Sequence, residues 1–404
     1  MALEQGRVKP GERARKQRPL SRKAKIIGLA AGILLVWRIS AVSLAAGHSD
    51  SSNDLAAADF AGASQAAAIT AAEQRLGDGD FAGAKVFSTH ALSISAISAA
   101  SLRNLGLAEQ GLGNWQRSGA LFSQNAALGW RDAPTQLWLV QAFLQQKDYD
   151  TAAQRMDAVL RLNPPNFDLY GTLDQLIGDP AFARAMAGRL LLNPDWRTYY
   201  LGYVSNLNGP ALLARAHLLS LLSGSAMPPS REEVLPILSV LIRDDKAPLA
   251  RMLWTRSQRT DSKGIFDPGF TNAGTTGMAP FEWSILPVPG ATLTREQQGA
   301  ANIVHVTTDG AASGILLRQA TALPPGPHRL SFAGTIPPAA HHAFGWSVRC
   351  RSGRILLNTT GLAGPSAYRF DVPQDCLSQQ VELLVASSAE AAGKEALFKA
   401  IDVD

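Results

Sequence analysis

Between Gly79 and Pro164, apolar residues recur at the three-and-four spacing of amphipathic helices. Three tight turns interrupt them: Gly79-Asp80-Phe81, Gly113-Asn114-Trp115 and Lys147-Asp148-Tyr149. The turn aromatics Phe81, Trp115 and Tyr149 lie 34 residues apart, and a small residue follows each of them three positions later: Ala84, Ser118 and Ala152. A fixed period of that length predicts stacked helical hairpins, with small side chains where facing helices approach closely. In the third copy a helix over 135–146 carries Leu137, Trp138, Leu139, Phe143 and Leu144. Its partner carries Ala152, Met156, Val159 and Leu160, and Asn163-Pro164 stops it.

The helical pattern continues in eroded form. Asn163-Pro164 recurs as Asn193-Pro194, and 195–207 and the very apolar 210–222 read as helices. Ser230-Arg231-Glu232-Glu233 is a capping-box start, and Arg243-Asp244-Asp245-Lys246 reads as a turn ahead of a helix with Ala250 and Trp254. His217 sits in an apolar helix with no partner at metal spacing, and is expected at the core or its boundary.

Around 261–264 the period changes from helical to alternating, among glycine, proline and threonine. Strands are expected at 281–286, 302–307, 314–319, 328–333, 344–350, 355–357, 368–372, 381–386 and 397–403. Many short strands separated by turns such as Pro324-Pro325-Gly326 and Pro337-Pro338 predict an antiparallel sandwich over 262–404. Phe281, Trp283 and Ile285 share one strand face, as do Phe344, Trp346, Val348 and Cys350, and Tyr368 alternates with Phe370 and Val372. Such runs predict inward-facing core in place of a binding platform.

Charge changes the picture at one end only. Among the 404 residues, with a net charge of +5, residues 1–25 hold nine Lys and Arg against Glu4 and Glu12. Everything after this tail is slightly acidic overall, so no basic face for nucleic acid is implied. Residues 26–46 carry a single charge, Arg38, over 21 positions, enough to span a ~30 Å hydrocarbon core. With the Lys and Arg excess on the N-terminal side, the expectation is a single transmembrane anchor with a cytoplasmic N-terminus and the bulk in the bacterial periplasm. A cleaved signal peptide is the alternative. A linker over 47–63 would follow.

The 64–164 repeats resemble the tetratricopeptide repeat family, on the 34-residue aromatic spacing and on Leu139, Phe143, Tyr149, Ala152 and Pro164 of the third copy. Copy two adds Leu105-Gly106; Arg75 and Glu109 stand where Phe143 stands in copy three. Residues 165–260 would be degenerate helical repeats. The resemblance implies a solenoid whose first helices line a concave groove, with Glu73, Arg103, Leu107, Gln110, Gln141 and Gln145 facing a protein partner.

The closing region resembles the galactose-binding-like, jelly-roll sandwiches of carbohydrate-binding modules. The resemblance rests on Phe270 with Phe281-Glu282-Trp283, the turn from Leu323 to Leu330, and the strand ending Ile401-Asp402. It implies a sandwich able to bind glycans, although Asp267-Pro268-Gly269-Phe270 replaces the usual opening. Cys350 and Cys376 are the two cysteines. With this half expected outside the cytoplasm, a disulfide is the default reading.

No nucleophile elbow, P-loop, zinc-protease or dinucleotide motif occurs, no His or acidic cluster has ligand spacing, and no cofactor or metal is expected. His341-His342 are read as loop residues. The chain as a whole reads as a multidomain non-enzyme: a membrane-anchored periplasmic scaffold or adaptor with cell-envelope protein partners, set in polysaccharide synthesis or export. The alternative is a glycan-binding protein acting through the sandwich, with the repeats as a stalk.

Overall fold

The computed structural model describes residues 65–258, 264–271, 280–298, 301–359, 361, 362 and 364–404. The chain divides into two compact units, the first ending at Asp148 and the second running from Tyr149 to Asp404.

The described part of the first unit is five helices: α1 (Gln65–Gly77), α2 (Phe81–Ile94), α3 (Ala99–Gly111), α4 (Trp115–Leu128) and α5 (Ala133–Gln145). Side chains at their starts explain why they begin where they do. Asp80 accepts from the Gly83 N–H at 2.9 Å, Ser98 from Ser101 at 3.2 Å, and Asp132 from Thr135 at 3.2 Å. The turns at Gly79 and Gly113 take φ of +77° and +82°, and Lys147 takes +61° at the corresponding place. The 34-residue period is thus a period of left-handed turn residues, and glycine occupies two of the three. Ala84 and Ser118 are fully buried, as their small size required. Where Phe81 packs on α3, Gly111 leaves no space for a Cβ, which would sit 2.3 Å from the ring.

The second unit opens with helices α6 (Tyr149–Leu162), α7 (Phe167–Leu176), α8 (Pro180–Leu190), α9 (Arg197–Gly202), α10 (Gly209–Ser223), α11 (Arg231–Arg243) and α12 (Ala247–Gln258). Ala152 is fully buried on α6. The capping box forms as read: the Glu233 N–H donates to Ser230 Oγ at 3.3 Å, and the Ser230 N–H donates to Glu233 Oε2 at 2.9 Å. The helix expected over 195–207 shrinks to α9, whose Arg197 is nearly fully buried and donates to Glu233 and to the Leu190 carbonyl. At its other end the backbone turns extended at Tyr203 (φ −82°, ψ 114°), whose carbonyl accepts from Arg215 Nη1 at 3.2 Å, so the helix stops at Gly202. His217 is exposed on α10, not at the core boundary where its apolar neighbours had suggested it.

Among the described residues ten strands follow: β1 (Ser284–Ile285), β2 (Ala291–Gln298), β3 (Ala301–Thr308), β4 (Gly314–Thr321), β5 (Gly326–Thr335), β6 (Phe344–Cys350), β7 (Ile355–Asn358), β8 (Ser366–Val372), β9 (Gln379–Val385) and β10 (Glu395–Val403). They form two five-stranded sheets, β1-β4-β9-β6-β7 and β2-β3-β10-β5-β8. Every pairing is antiparallel. One hydrophobic core, with Trp346, Val348, Val381 and Leu383 from the first sheet and Val304, Leu330, Phe398 and Ile401 from the second, fills the space between them. Trp283 and Trp346 are buried in it with ring centroids 6.1 Å apart, so neither is a surface platform; Ile285, expected on the same inward face as Trp283, is instead exposed on the short edge strand β1. His341 and His342 lie in a 3-10 turn ahead of β6. Cys350 at the end of β6 is disulfide-bonded to Cys376 ahead of β9, and both are buried.

The architecture expected at the N-terminus needs correction. The tail over 1–25, the anchor over 26–46 and the linker over 47–63 lie outside the described residues. Among the described residues no helix is long and apolar enough to cross a membrane. The longest, α10 with 15 residues, would rise only ~22 Å and carries buried Arg215. The fold is a helical region followed by a β-sandwich. The single-pass membrane architecture, and the inner-membrane and periplasmic placement drawn from it, are withdrawn.

Candidate functional site

In the first unit, α3, α4 and α5 enclose a cleft of about 310 Å³. It is lined by Gln110, Trp115, Trp138, Gln141, Ala142, Gln145 and Gln146, with no charged side chain among them. The helix period explains the lining, since Trp138, Gln141 and Gln145 fall three and four positions apart on one face of α5. Trp138 is held twice: its ring stacks on Phe122 at 4.6 Å, and its Nε1–H donates to Gln110 Oε1 at 2.9 Å. Both partners come from the preceding helix pair, so the indole is fixed before any ligand arrives. Trp115, placed at the start of α4 by the left-handed Gly113, leaves 40% of its surface exposed. An amide offers both donors and acceptors, and an indole offers an apolar face. Together they suit an uncharged ligand with evenly spaced polar groups.

Of the residues expected to face a partner, Gln110, Gln141 and Gln145 come together here. Leu107 packs against the small cluster of Leu76, Ala84 and Ala108. Arg103 instead bridges Glu73 (Nη2 to Oε1, 2.5 Å) and Asp132 (Nη1 to Oδ1, 2.7 Å), all three side chains being at most 16% exposed. Asp132 also caps α5, so Arg103 ties α1 and α3 to the start of the next helix pair. Trp115, Trp138 and Gln146 escaped the sequence reading as site residues. Trp115 was absorbed into the turn period and Trp138 into the apolar face, and the exposure of one indole edge cannot be read from spacing.

Glu109, which departs from the expected aromatic, is a buried carboxylate on α3. Its Oε2 accepts from Asn114 Nδ2 at 2.7 Å, and Oε1 lies 3.1 Å from both Lys85 Nζ and Arg117 Nε. Burial pushes its pKa upward, but the Asn114 and Lys85 hydrogen bonds and the charges of Arg117 and Lys85 outweigh that and hold it below the ordinary value. It staples α2, α3 and α4 with charge where the third copy uses an aromatic. Among the described residues no group of three His, Cys, Asp or Glu could hold a metal ion.

No family model matches this chain, and no curated protein matches it. Among solved structures, TmCBM61 in complex with beta-1,4-galactotriose is 18% identical, covering 35% of this chain and 99% of that one, with a TM-score of 0.25. A structure of accessory secretory protein 1, 2 and 3 in Streptococcus pneumoniae is 14% identical over 36% of this chain and 96% of that one, with a TM-score of 0.23. The Gap123 glycosylation-associated complex of Streptococcus agalactiae is 11% identical over 35% and 44%, also with a TM-score of 0.23. All three are distant, and the sandwich architecture rests on the strand pairing itself.

Proposed function

We propose that this protein is a non-catalytic scaffold or adaptor that holds an extended segment of a partner protein in the α3–α5 cleft, through tetratricopeptide-like helix pairs. The observation that carries this reading is the Trp138–Gln110 hydrogen bond, which fixes an indole and an amide side by side in a lining without charge. An extended peptide presents alternating N–H and C=O groups, which Gln141 and Gln145 match with donors and acceptors at helical spacing. Specificity would come from side chains laid on Trp115 and Trp138.

The test is photo-crosslinking from position 145 of the full chain, with the captured polypeptide mapped by mass spectrometry. Capture of one defined segment, lost in a Trp115→Ala/Gln141→Ala double variant that remains folded, is the expected result. Equal capture by the double variant would show that the cleft is not the binding surface.

A further inference from the structure

On the outer face of the first sheet, beside α11, lies a second depression of about 260 Å³ with a different chemistry. Strand pairing sets its floor: Ser284 of β1 lies opposite Arg318 of β4, and Ala320 opposite Gln380 of β9. Alternation turns these residues away from the core, and the small side chains of Ser284 and Ala320 keep the floor low between longer ones. The wall is α11, through Ser239, Ile242 and Arg243. Arg351, just past β6, spans floor and wall, its Nη1–H donating to the Ile242 carbonyl.

The charge here is unbalanced. Arg318 Nε and Arg349 Nη2 both donate to a single oxygen, Oε1 of Glu382, each at 2.7 Å. Glu382 is 1% exposed, so one covered carboxylate serves two guanidiniums. Arg243 meets Asp244 in a solvent-exposed pair at 3.0 Å. Arg351 has no carboxylate within ion-pair distance among the described residues; its side chain meets the Ile242 carbonyl. Four guanidiniums therefore face two carboxylates, one shared by Arg318 and Arg349 and one beside Arg243, so the surplus lies on Arg351 and the Arg318–Arg349 pair, with Arg243 exposed at the rim.

We propose that this cleft binds an acidic sugar, with its carboxylate or phosphate held by Arg243 and Arg351 and its hydroxyls met by Ser239, Ser284 and Gln380. The guanidinium fork matches either anion in two-pronged geometry. The volume falls below the ~300–1,000 Å³ of drug-sized sites, which suits a single ring with its charged substituent. A lining of hydroxyls and an amide, with Ile242 and Pro280 its larger apolar members, favours a polyhydroxylated body over an apolar one. This site is independent of the α3–α5 cleft, and failure of either leaves the other standing.

Calorimetric titration of the full chain with glucuronate, glucose 6-phosphate, glucose and inorganic phosphate tests the proposal. Glucuronate or glucose 6-phosphate should bind, the stronger of the two identifying the anion, and glucose should not. Binding should weaken with added salt and fall about tenfold or more in Arg351→Gln. Arg243→Gln, on an exposed side chain that does not bridge α11 to the sheet, should do the same and guards against a folding defect in the first variant. Glucose binding as tightly as the acids, inorganic phosphate matching glucose 6-phosphate, no binding by either acid, or unchanged affinity in a folded Arg243→Gln variant would each overturn it.

Discussion

Arg215 on α10 closes a two-pronged ion pair on Asp174 of α7, with Nε to Oδ1 at 2.8 Å and Nη2 to Oδ2 at 2.9 Å. The arginine is fully buried, and its guanidinium lies 3.6 Å over the ring of Tyr200, whose hydroxyl donates to the same Asp174 at 2.9 Å. A pair this dry matters most when half of it is removed. Asp174→Ala or Arg215→Met alone should lose about 3–5 kcal/mol, because each strands a buried charge. The Asp174→Leu/Arg215→Met double variant should recover most of that loss. Urea denaturation of the three variants checks it, and a double variant no better than the singles would refute the argument.

Lys147 holds a φ of +61° at the place that Gly79 and Gly113 fill with glycine. A Cβ at Gly113 would meet nothing within 4 Å, so the preference there is conformational and not steric crowding. Lys147→Gly should raise stability by about 0.5–1 kcal/mol, and Gly113→Ala should lower it by about 1 kcal/mol. Thermal melts of both variants against the parent provide the measurement.

Glu109 should make the first unit acid-sensitive. Its folded pKa is lowered from the ordinary 4.5, so the stability it contributes is complete above that value and is lost as pH falls through the folded pKa. Glu109→Gln should therefore flatten the stability profile below about pH 4.5 while costing stability at neutral pH. An unchanged acid profile in this variant would mean that other carboxylates dominate.

The Cys350–Cys376 disulfide spans 26 positions. Closing a loop of that length contributes about 3.5 kcal/mol in the chain-entropy model. Reduction should lower the melting temperature of the second unit, and Cys350→Ala/Cys376→Ala should reproduce the drop without reductant.

Much of this fold was legible because its signals are local. The 34-residue period, the Ser230 capping box and the alternation that places β6 at Phe344–Cys350 each depend on neighbours within a few residues. Two strand readings went wrong where locality failed, one strand being missed and one drawn too long. β2, with its sequence ATLTREQQ, shows no apolar alternation because it is an edge strand paired only to β3. The strand expected over 281–286 shortens to β1, again at an edge.

The sequence by itself determined the helix-to-strand order, the turn chemistry and the inward parity of Trp283 and Trp346. Only the tertiary structure decided that Arg103 would be occupied by Glu73 and Asp132, that Trp138 would be fixed by Gln110, and that Glu109 would find its cations. It also decided that arginines as far apart in sequence as Arg243 and Arg351 would share one cleft. The physical reason is range. Periodicity is set by bond geometry within one element, whereas charge balance depends on which distant groups the finished packing brings within a few ångströms.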